Sequence, residues 1–355
     1  MLKKRCLNKR GFAIQFNWLF VLIGGAIILA FFFSLITNQA SEGEKRTAQR
    51  STQELDALLK VSLASGDTQK TLLFDRKILF YCDEISEYYV RGSVKPSRYD
   101  YNAIFSPSEL ESKELIIQTL AFEAPFRVMP LVYVTNKDIE YVFVGSSALL
   151  NMVYDFMPDD TLKKSLVVPS NIANYPDNNY DRTVFVLNIT DAGGLGSITL
   201  NKFDNSDGRV YAVVINATED SAYGYGNISF FRYDGSNFVP DGSVLFLGSE
   251  LVLGGVISHD KTIYECNLRK VLRRLELLSR LHINRTVYYY YNAHEECEDY
   301  YNNANARGFI EDIKGYAAEK DELSVDDFDN ALTAINELRS LNTYIIRRTS
   351  CPPIY

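Results

Sequence analysis

The stretch that decides the architecture of this chain is FAIQFNWLFVLIGGAIILAFFFSLI, residues 12–36, which contains no charged side chain. As an α-helix, a stretch of this length extends about 37 Å, more than the ~30 Å hydrocarbon core of a lipid bilayer. The stretch therefore predicts a transmembrane helix over residues 12–37, with the lipid bilayer as its partner.

Charges on the two flanks predict the orientation of this helix. Five basic residues and no acidic residue lie in the first ten positions, whereas the other flank begins Ser41-Glu42-Gly43-Glu44. Because positive charge is retained on the cytoplasmic side of a membrane, we expect residues 1–11 in the cytoplasm and everything after residue 40 outside the cell membrane. A cleaved secretory signal is the alternative, with Asn38-Gln39-Ala40 as its small-residue site. The five basic residues are Lys3, Lys4, Arg5, Lys9 and Arg10.

The start of the apolar stretch carries a short motif. Lys9-Arg10-Gly11, followed directly by Phe12 and the apolar helix, resembles the class III signal of archaeal type IV pilin-like proteins. The resemblance covers about the first 35 residues. It implies that a prepilin peptidase cuts between Gly11 and Phe12, and that the chain is a component of a pilin-like assembly. Many pilins have Glu at the fifth position after the cut, where this chain has Phe16.

A few residues in the apolar stretch could mediate association with another helix. Gln15 and Asn17 are polar groups that cost energy in lipid unless they find a partner, and Gly24-Gly25 permits close approach of a second helix. The alternative is that the two polar residues lie near the membrane interface and have no special role.

Composition limits the possible partners. The net charge is −8, and without the first ten residues the chain has 32 basic and 45 acidic residues, a net charge of −13. Nucleic acid is therefore not an expected partner, because phosphate binding needs a basic surface. The 24 Tyr and 21 Phe residues indicate half-buried sheet packing, with a sugar-binding or adhesive surface as the alternative.

The cysteines predict two disulfides outside the membrane. Four thiols in an oxidising compartment usually form two bridges, and three pairings are possible here. We expect Cys297 with Cys351, which would hold the last residues against the chain, and by elimination Cys82 with Cys266. Cys266 also lies off the apolar stripe of its helix. The fifth cysteine, Cys6, is interpreted as a free cytoplasmic thiol, or as an acylation site.

The sequence also contains candidate residues for a metal site and for glycosylation. His294 and Cys297 could begin a zinc site, but no second close pair of ligands exists in the sequence, so no metal is expected. Four Asn-x-Ser/Thr sequons lie on the predicted outer side and are candidates for glycosylation. They are Asn188, Asn216, Asn227 and Asn284.

Periodicity divides the outer part into three regions. Residues 38–68 read as a helical stalk, with Ser51 and Glu54 as a capping box. Residues 69–260 contain short apolar runs typical of strands, and residues 261–355 are predicted to be helical, with helices at about 261–283 and 325–346, the latter capped by Ser324. The strands are predicted at 77–81, 101–105, 114–120, 131–135, 140–144, 166–168, 183–188, 197–203, 209–216, 227–232 and 243–247.

These elements predict an α/β fold. Nearly continuous apolar strands indicate a partly parallel sheet covered on both faces by helices, as in the doubly wound layering of Rossmann or flavodoxin-like proteins. Two strands run through short loops into helices, at Gly145-Ser146-Ser147 and at Gly248-Ser249. Backbone amides at such helix starts can hold an anion, so these five residues are weak candidates for an anion site. A hairpin at 228–239 makes the sheet mixed.

The sequence contains no complete catalytic or cofactor motif. The glycine-rich segment 191–196 and the acidic segment 204–208 are interpreted as loops, and no cofactor is expected. A hydrolase triad would have to use His259, His282 or His294, and no G-x-S-x-G elbow accompanies them. The leading hypothesis is a non-catalytic cell-surface protein that binds or assembles, and the alternative is a membrane-anchored hydrolase or carbohydrate-active ectoenzyme.

Overall fold

The fold is described from a computed structural model of the chain. It describes residues 9–64, 66–82, 86–159, 161–188, 195, 199–203, 208–218, 224–318 and 325–355, with the side chains of 9–17 and 325–327 left aside. The predictions for Cys6, for the side chains of Gln15 and Asn17, for the cap at Ser324, for residues 204–207 and for most of segment 191–196 therefore lie outside the described residues.

Helices and strands have the following bounds. The helices are α1 Lys9–Ala64, α2 Ala148–Phe156, α3 Ser249–Ser258, α4 Lys261–Asn292, α5 Glu298–Tyr301, α6 Ala306–Ala317 and α7 Val325–Arg348, with short 3-10 helices at Pro169–Asn174 and Glu295–Cys297. The strands are β1 Thr68–Leu73, β2 Ile78–Cys82, β3 Ser86–Val90, β4 Ser97–Arg98, β5 Ile104–Phe105, β6 Glu109–Leu110, β7 Glu114–Glu123, β8 Arg127–Asn136, β9 Ile139–Val144, β10 Lys163–Val167, β11 Arg182–Asn188, β12 Val210–Ala217, β13 Tyr225–Tyr233 and β14 Phe238–Leu247.

The predicted membrane helix and the predicted stalk form one continuous helix, α1, of 56 residues. The capping box expected at Ser51 is wrong, because Ser51 lies well inside α1. There its backbone N–H belongs to the helical hydrogen-bond ladder and does not need a side-chain cap.

A large mixed sheet forms the centre of the α/β part. Its strand order is β10-β9-β11-β12-β13-β14, in which the first four strands are parallel and the last two pairings are antiparallel. Every residue of β9 is buried, as expected for an apolar strand in the middle of a parallel sheet. The predicted mixed α/β architecture and the hairpin of β13 and β14 are confirmed.

The two faces of the large sheet are covered differently. Tyr141 and Phe143 join the main core with α2 and α3, whereas Val142 and Phe185 lie in a second core with Phe203. The second core is closed by the 3-10 helix Pro169–Asn174 and by residues 199–203. A doubly wound layering is therefore not confirmed. The strand predicted at 197–203 is wrong in its described part, since residues 199–203 form a loop whose apolar side chains fill the second core.

Two smaller sheets accompany the large one. The first has the order β1-β7-β8-β5 and the second the order β4-β3-β2-β6. Helix α3 lies between the first of these and the large sheet, and its glycines permit the close approach. An added Cβ on Gly254 would lie 2.8 Å from Phe105 of β5, and one on Gly255 would lie 2.8 Å from Ile228 of β13.

The C-terminal region is helical, as predicted, but α4 is longer than expected. It continues to Asn292 rather than ending near residue 283. The tyrosines at its end have no strong helix propensity, yet Tyr289 packs on Tyr301 with ring centroids 5.3 Å apart. Tertiary packing against α5 and α6 therefore extends the helix.

Candidate functional site

The first half of α1 has no neighbours in the described chain. None of the described side chains from Trp18 to Thr47 is buried, and this part of the helix is long and apolar enough to cross a membrane, by length and composition. An added Cβ on Gly24 or Gly25 would meet nothing within 4 Å. The surface around these glycines is thus open to lipid or to another helix.

The second half of α1 packs on the α/β part along one stripe. The buried positions are spaced by three and four residues, as one face of a helix requires. Asp56 adds a polar attachment, since its carboxylate accepts hydrogen bonds from the Tyr88 hydroxyl and from Ser97 Oγ, the latter at 2.8 Å. The stripe consists of Ala48, Thr52, Leu55, Leu59 and Ser62.

The four outer cysteines form both predicted disulfides. Cys82 of β2 is bonded to Cys266 of α4, and Cys297 is bonded to Cys351, each with a Cα–Cα distance of 5.7 Å. The first bridge fastens the start of α4 to the second small sheet. The second holds the last residues of the chain, where Ile354 is fully buried.

The candidate anion loops lie at one edge of the large sheet, because β9 and β14 run in the same direction. Two of their amides and one hydroxyl oxygen are already used within the fold. The amide of Gly145 donates to Val167 O at 3.1 Å, and that of Gly248 donates to Gly224 O at 2.9 Å. Ser147 Oγ caps α2 by accepting from the Leu150 amide at 3.2 Å.

Ser249 is buried in the first turn of α3. Burial raises the pKa of the next residue, Glu250, whose carboxyl group lies at the start of α3. The fold brings the loops of Ser146 and Ser249 to one edge of the large sheet, and anion binding there remains a prediction.

The opposite edge of the large sheet carries a histidine. His259 Nδ1 donates to Ile257 O at 3.0 Å, so the Nε2 lone pair accepts from Arg182 Nη1 at 3.3 Å. The ring lies 4.6 Å from that of Tyr211. Burial, followed by the nearby guanidinium of Arg182, holds the pKa of His259 well below its usual range. This imidazole is therefore neutral and structural.

The other two histidines lie elsewhere. His282 stacks on Phe126 with a centroid distance of 4.3 Å, and burial lowers its pKa. His294 is exposed beside the end of α4. Among the residues that the structure describes, none of the three imidazoles bonds to a carboxylate, and no group of three metal-ligating side chains comes together.

Three of the four sequons converge on the large sheet. Asn216 of β12 pairs with Asn227 of β13, and Asn188 of β11 pairs with the residue before Asn216. Asn216 is exposed and Asn227 is half-buried. Asn284 is exposed in the middle of α4. Glycosylation of these residues remains a prediction.

Two buried polar groups were missed by sequence reasoning. Glu140 Oε1, inside β9, accepts from the Tyr175 hydroxyl and from Asn178 Nδ2, each at 3.0 Å. These bonds fasten the segment that closes the second core. No local signal could have found them, because the partners are 35 and 38 positions away.

Lys270 of α4 is the second of these groups. Its Nζ donates to Asn102 O at 3.1 Å and lies 4.1 Å from the centroid of the Tyr99 ring. Burial lowers the pKa of Lys270 to about 7, opposed by the charge of Asp100. The spacing of four residues from Cys266 places Lys270 on the same face of α4, which was the available signal.

Comparison of the chain with protein-family models, with curated protein sequences and with solved structures finds no match. The function is therefore inferred from the residues themselves, and above all from α1.

Proposed function

We propose that this chain is a single-pass protein of the cell membrane, with its N-terminus in the cytoplasm and its α/β part outside, and that it acts as a non-catalytic binding or pilin-like assembly component. The observation that carries the proposal is α1, one continuous helix whose first half is bare and apolar and whose second half is packed on the α/β part. That the large sheet has the doubly wound layering of Rossmann or flavodoxin-like proteins remains a hypothesis about the fold and does not bear on this role.

The orientation is supported by charge and by the cysteines. The five basic residues in the first ten positions favour the cytoplasmic side for the N-terminus. All four cysteines beyond α1 are within disulfide geometry, which favours an oxidising compartment for the α/β part. The sequon Asn216 lies on exposed surface, as a glycan acceptor of an outer domain would.

An assembly role is supported by the shape of the bare half of α1. The apolar part from Trp18 to Ile36 extends about 28 Å, and a polar stretch to Thr47 adds about 16 Å before the first buried residue, Ala48. The α/β part is thus separated from the apolar part, so neighbouring copies could approach through their helices. Gly24 and Gly25 provide the small surface that close helix packing in lipid requires.

The experiment uses two substitutions that add bulk on different sides of α1. The two are Gly24→Leu and Ala26→Leu, and in the isolated chain an added Cβ on Gly24 would meet nothing within 4 Å. We expect Gly24→Leu to lower cross-links between the α1 helices of the full-length protein in native membranes at least about tenfold, by separating helices that pack through the glycine.

Ala26→Leu is the matched control, because residue 26 lies about 200° around the helix from residue 24. It should leave the oligomers intact. If the wild-type chain is monomeric in its membrane, or if both variants assemble as well as the wild type, the proposed assembly through α1 is wrong. Within the described residues, no arrangement favours the ectoenzyme alternative.

A further inference from the structure

The outer face of α4 changes character along its length. At its start this face is covered, since Cys266 is bonded to β2 and Lys270 lies beneath the segment that contains Tyr99 and Asn102. Beyond Lys270 the same face is bare. The opposite side of α4 stays buried over this length, with Ser279 and Thr286 fully covered.

The bare face carries a regular stripe, which we call the α4 stripe. Its members recur at intervals of three and four residues, the spacing of a coiled-coil seam. Large apolar side chains are exposed along it, with Leu277 51% and Tyr291 76% exposed. The α4 stripe consists of Arg274, Leu277, Leu281, Asn284, Tyr288 and Tyr291, and extends about 26 Å.

Charge that is not already engaged on α4 itself is distributed unequally, since Arg280 is paired with Glu276 at 2.5 Å and Arg285 donates to the Tyr289 hydroxyl at 3.0 Å. Basic side chains lie at the start of the stripe, where Arg273 and Arg274 are exposed and make no ion pair within the described part of the chain. Just beyond the end of the stripe, Glu295 and Glu296 are exposed in the short 3-10 helix. A second α4 running in the same direction would place arginine against arginine. One running in the opposite direction places arginine near glutamate at both ends.

We propose that the α4 stripe binds the α4 stripe of a second copy of this chain, in antiparallel orientation around a two-fold axis. The limits of the bare face fix the register, because two stripes overlap fully only when the axis passes between Leu281 and Asn284. Leu277 then contacts Tyr288 of the second copy, and Arg274 lies over the ring of its Tyr291. Such a contact is isologous and closes as a dimer.

This surface is separate from α1 and goes beyond the proposed function. It joins two copies through their α/β parts, and a failure of α1 to associate would leave it intact. It also gives Asn284 a role other than that of a glycan acceptor. The two roles exclude each other, because a glycan on Asn284 would occupy the middle of the contact.

The register is tested by cysteine cross-linking of the full-length protein in its membrane. In the antiparallel pair, residue 277 of one copy faces residue 288 of the other, whereas equal positions lie about 16 Å apart along the axis. A disulfide needs a Cα–Cα distance below about 7 Å. Leu277→Cys and Tyr288→Cys, produced together with different tags, should therefore form a mixed dimer, and neither variant alone should form one.

Charge reversal tests the same contact without new thiols. We expect the double variant Arg273→Glu/Arg274→Glu to lower dimer formation at least about tenfold, since it places four carboxylates near each other at both ends. The double variant Glu295→Lys/Glu296→Lys should do the same. A mixture of the two should restore the dimer, because each reversed patch then faces an opposite charge.

Controls separate the outcomes. Glu337→Cys, exposed on α7, measures cross-linking by random encounter, and Gly24→Leu shows whether α1 contributes. The proposal would be overturned by cross-links between equal positions, by a mixture of the two charge-reversed variants that fails to restore the dimer, or by a glycan found on Asn284.

Discussion

The two longest helices of the described chain, α1 and α4, are each packed along one part and bare along another, but the bare parts differ. Around α1, residues 18–36 are almost entirely apolar on every side. On α4 the exposed apolar side chains form one stripe with arginines beside it. A helix that is apolar on every face must be surrounded by apolar material such as lipid. A helix with one exposed apolar stripe can instead be covered by a single second helix. The distribution of apolar residues around a helix therefore indicates the kind of partner.

The largest expected effect separates the two halves of α1. Leu55 is fully buried and Leu29 is 68% exposed. Leu55→Ala should lower the free energy of unfolding of the α/β part by about 2–5 kcal/mol, because it leaves a cavity between α1 and the core. Leu29→Ala should change it by less than about 0.5 kcal/mol. Chemical denaturation of the full-length protein in detergent, followed by tyrosine fluorescence, measures both.

These two leucines form a matched pair, since both are Leu→Ala changes in one helix. Equal destabilisation by both would mean that the first half of α1 also packs on the α/β part. A small effect of Leu55→Ala would mean that the second half is not part of the core.

Sequence reasoning succeeded where the interactions are local in sequence and failed where they join distant segments. The apolar half of α1, the strands β9 and β11 and the helix α2 are encoded in consecutive residues, and all were predicted. The pairing of Cys82 with Cys266 was reached by elimination and from the position of Cys266 off the apolar stripe of its helix. Residues 199–203 were assigned to a strand on local composition, but their apolar side chains serve the second core, which is assembled from distant segments.

The candidate sites show the same limit. Sequence spacing placed Ser147 and Gly248 at helix starts, which is correct. It could not reveal that the amides of Gly145 and Gly248 are used by the fold, because their acceptors, the carbonyl oxygens of Val167 and Gly224, come from other strands or loops. The α4 stripe was missed because α4 was expected to end near residue 283, before three of its members.

A second prediction concerns the packed start of α4 and tests the protonation of His259, the buried histidine just before this helix. The folded protein keeps this imidazole neutral, with a pKa below that of the unfolded chain. The unfolded chain therefore binds the extra proton as pH falls below about 6.5, and stability present above that pH is lost. Lowering the pH from 7 to 5 should therefore lower the free energy of unfolding by about 2 kcal/mol through this group.

His259→Asn provides the comparison, since His259 has a φ of 38° and Asn tolerates the left-handed region. Its unfolding free energy should fall by about 2 kcal/mol less than that of the wild type over the same pH range. His282 contributes in the same direction in both proteins, so only the difference reports on His259. If the unfolding free energies of the two proteins changed in parallel with pH, the folded protein would bind the proton on His259 as readily as the unfolded chain does, which would contradict this prediction.

The orientation of α1 is tested most directly by labelling cysteines in intact cells with a membrane-impermeant maleimide. Lys163→Cys on β10 places an exposed thiol on the α/β part, and Cys6, where it is retained, reports on the other side. We expect Lys163→Cys to be labelled equally before and after permeabilisation, and Cys6 to be labelled only afterwards. Protection of the thiol at position 163 until the cells are permeabilised would contradict an outer location of the α/β part.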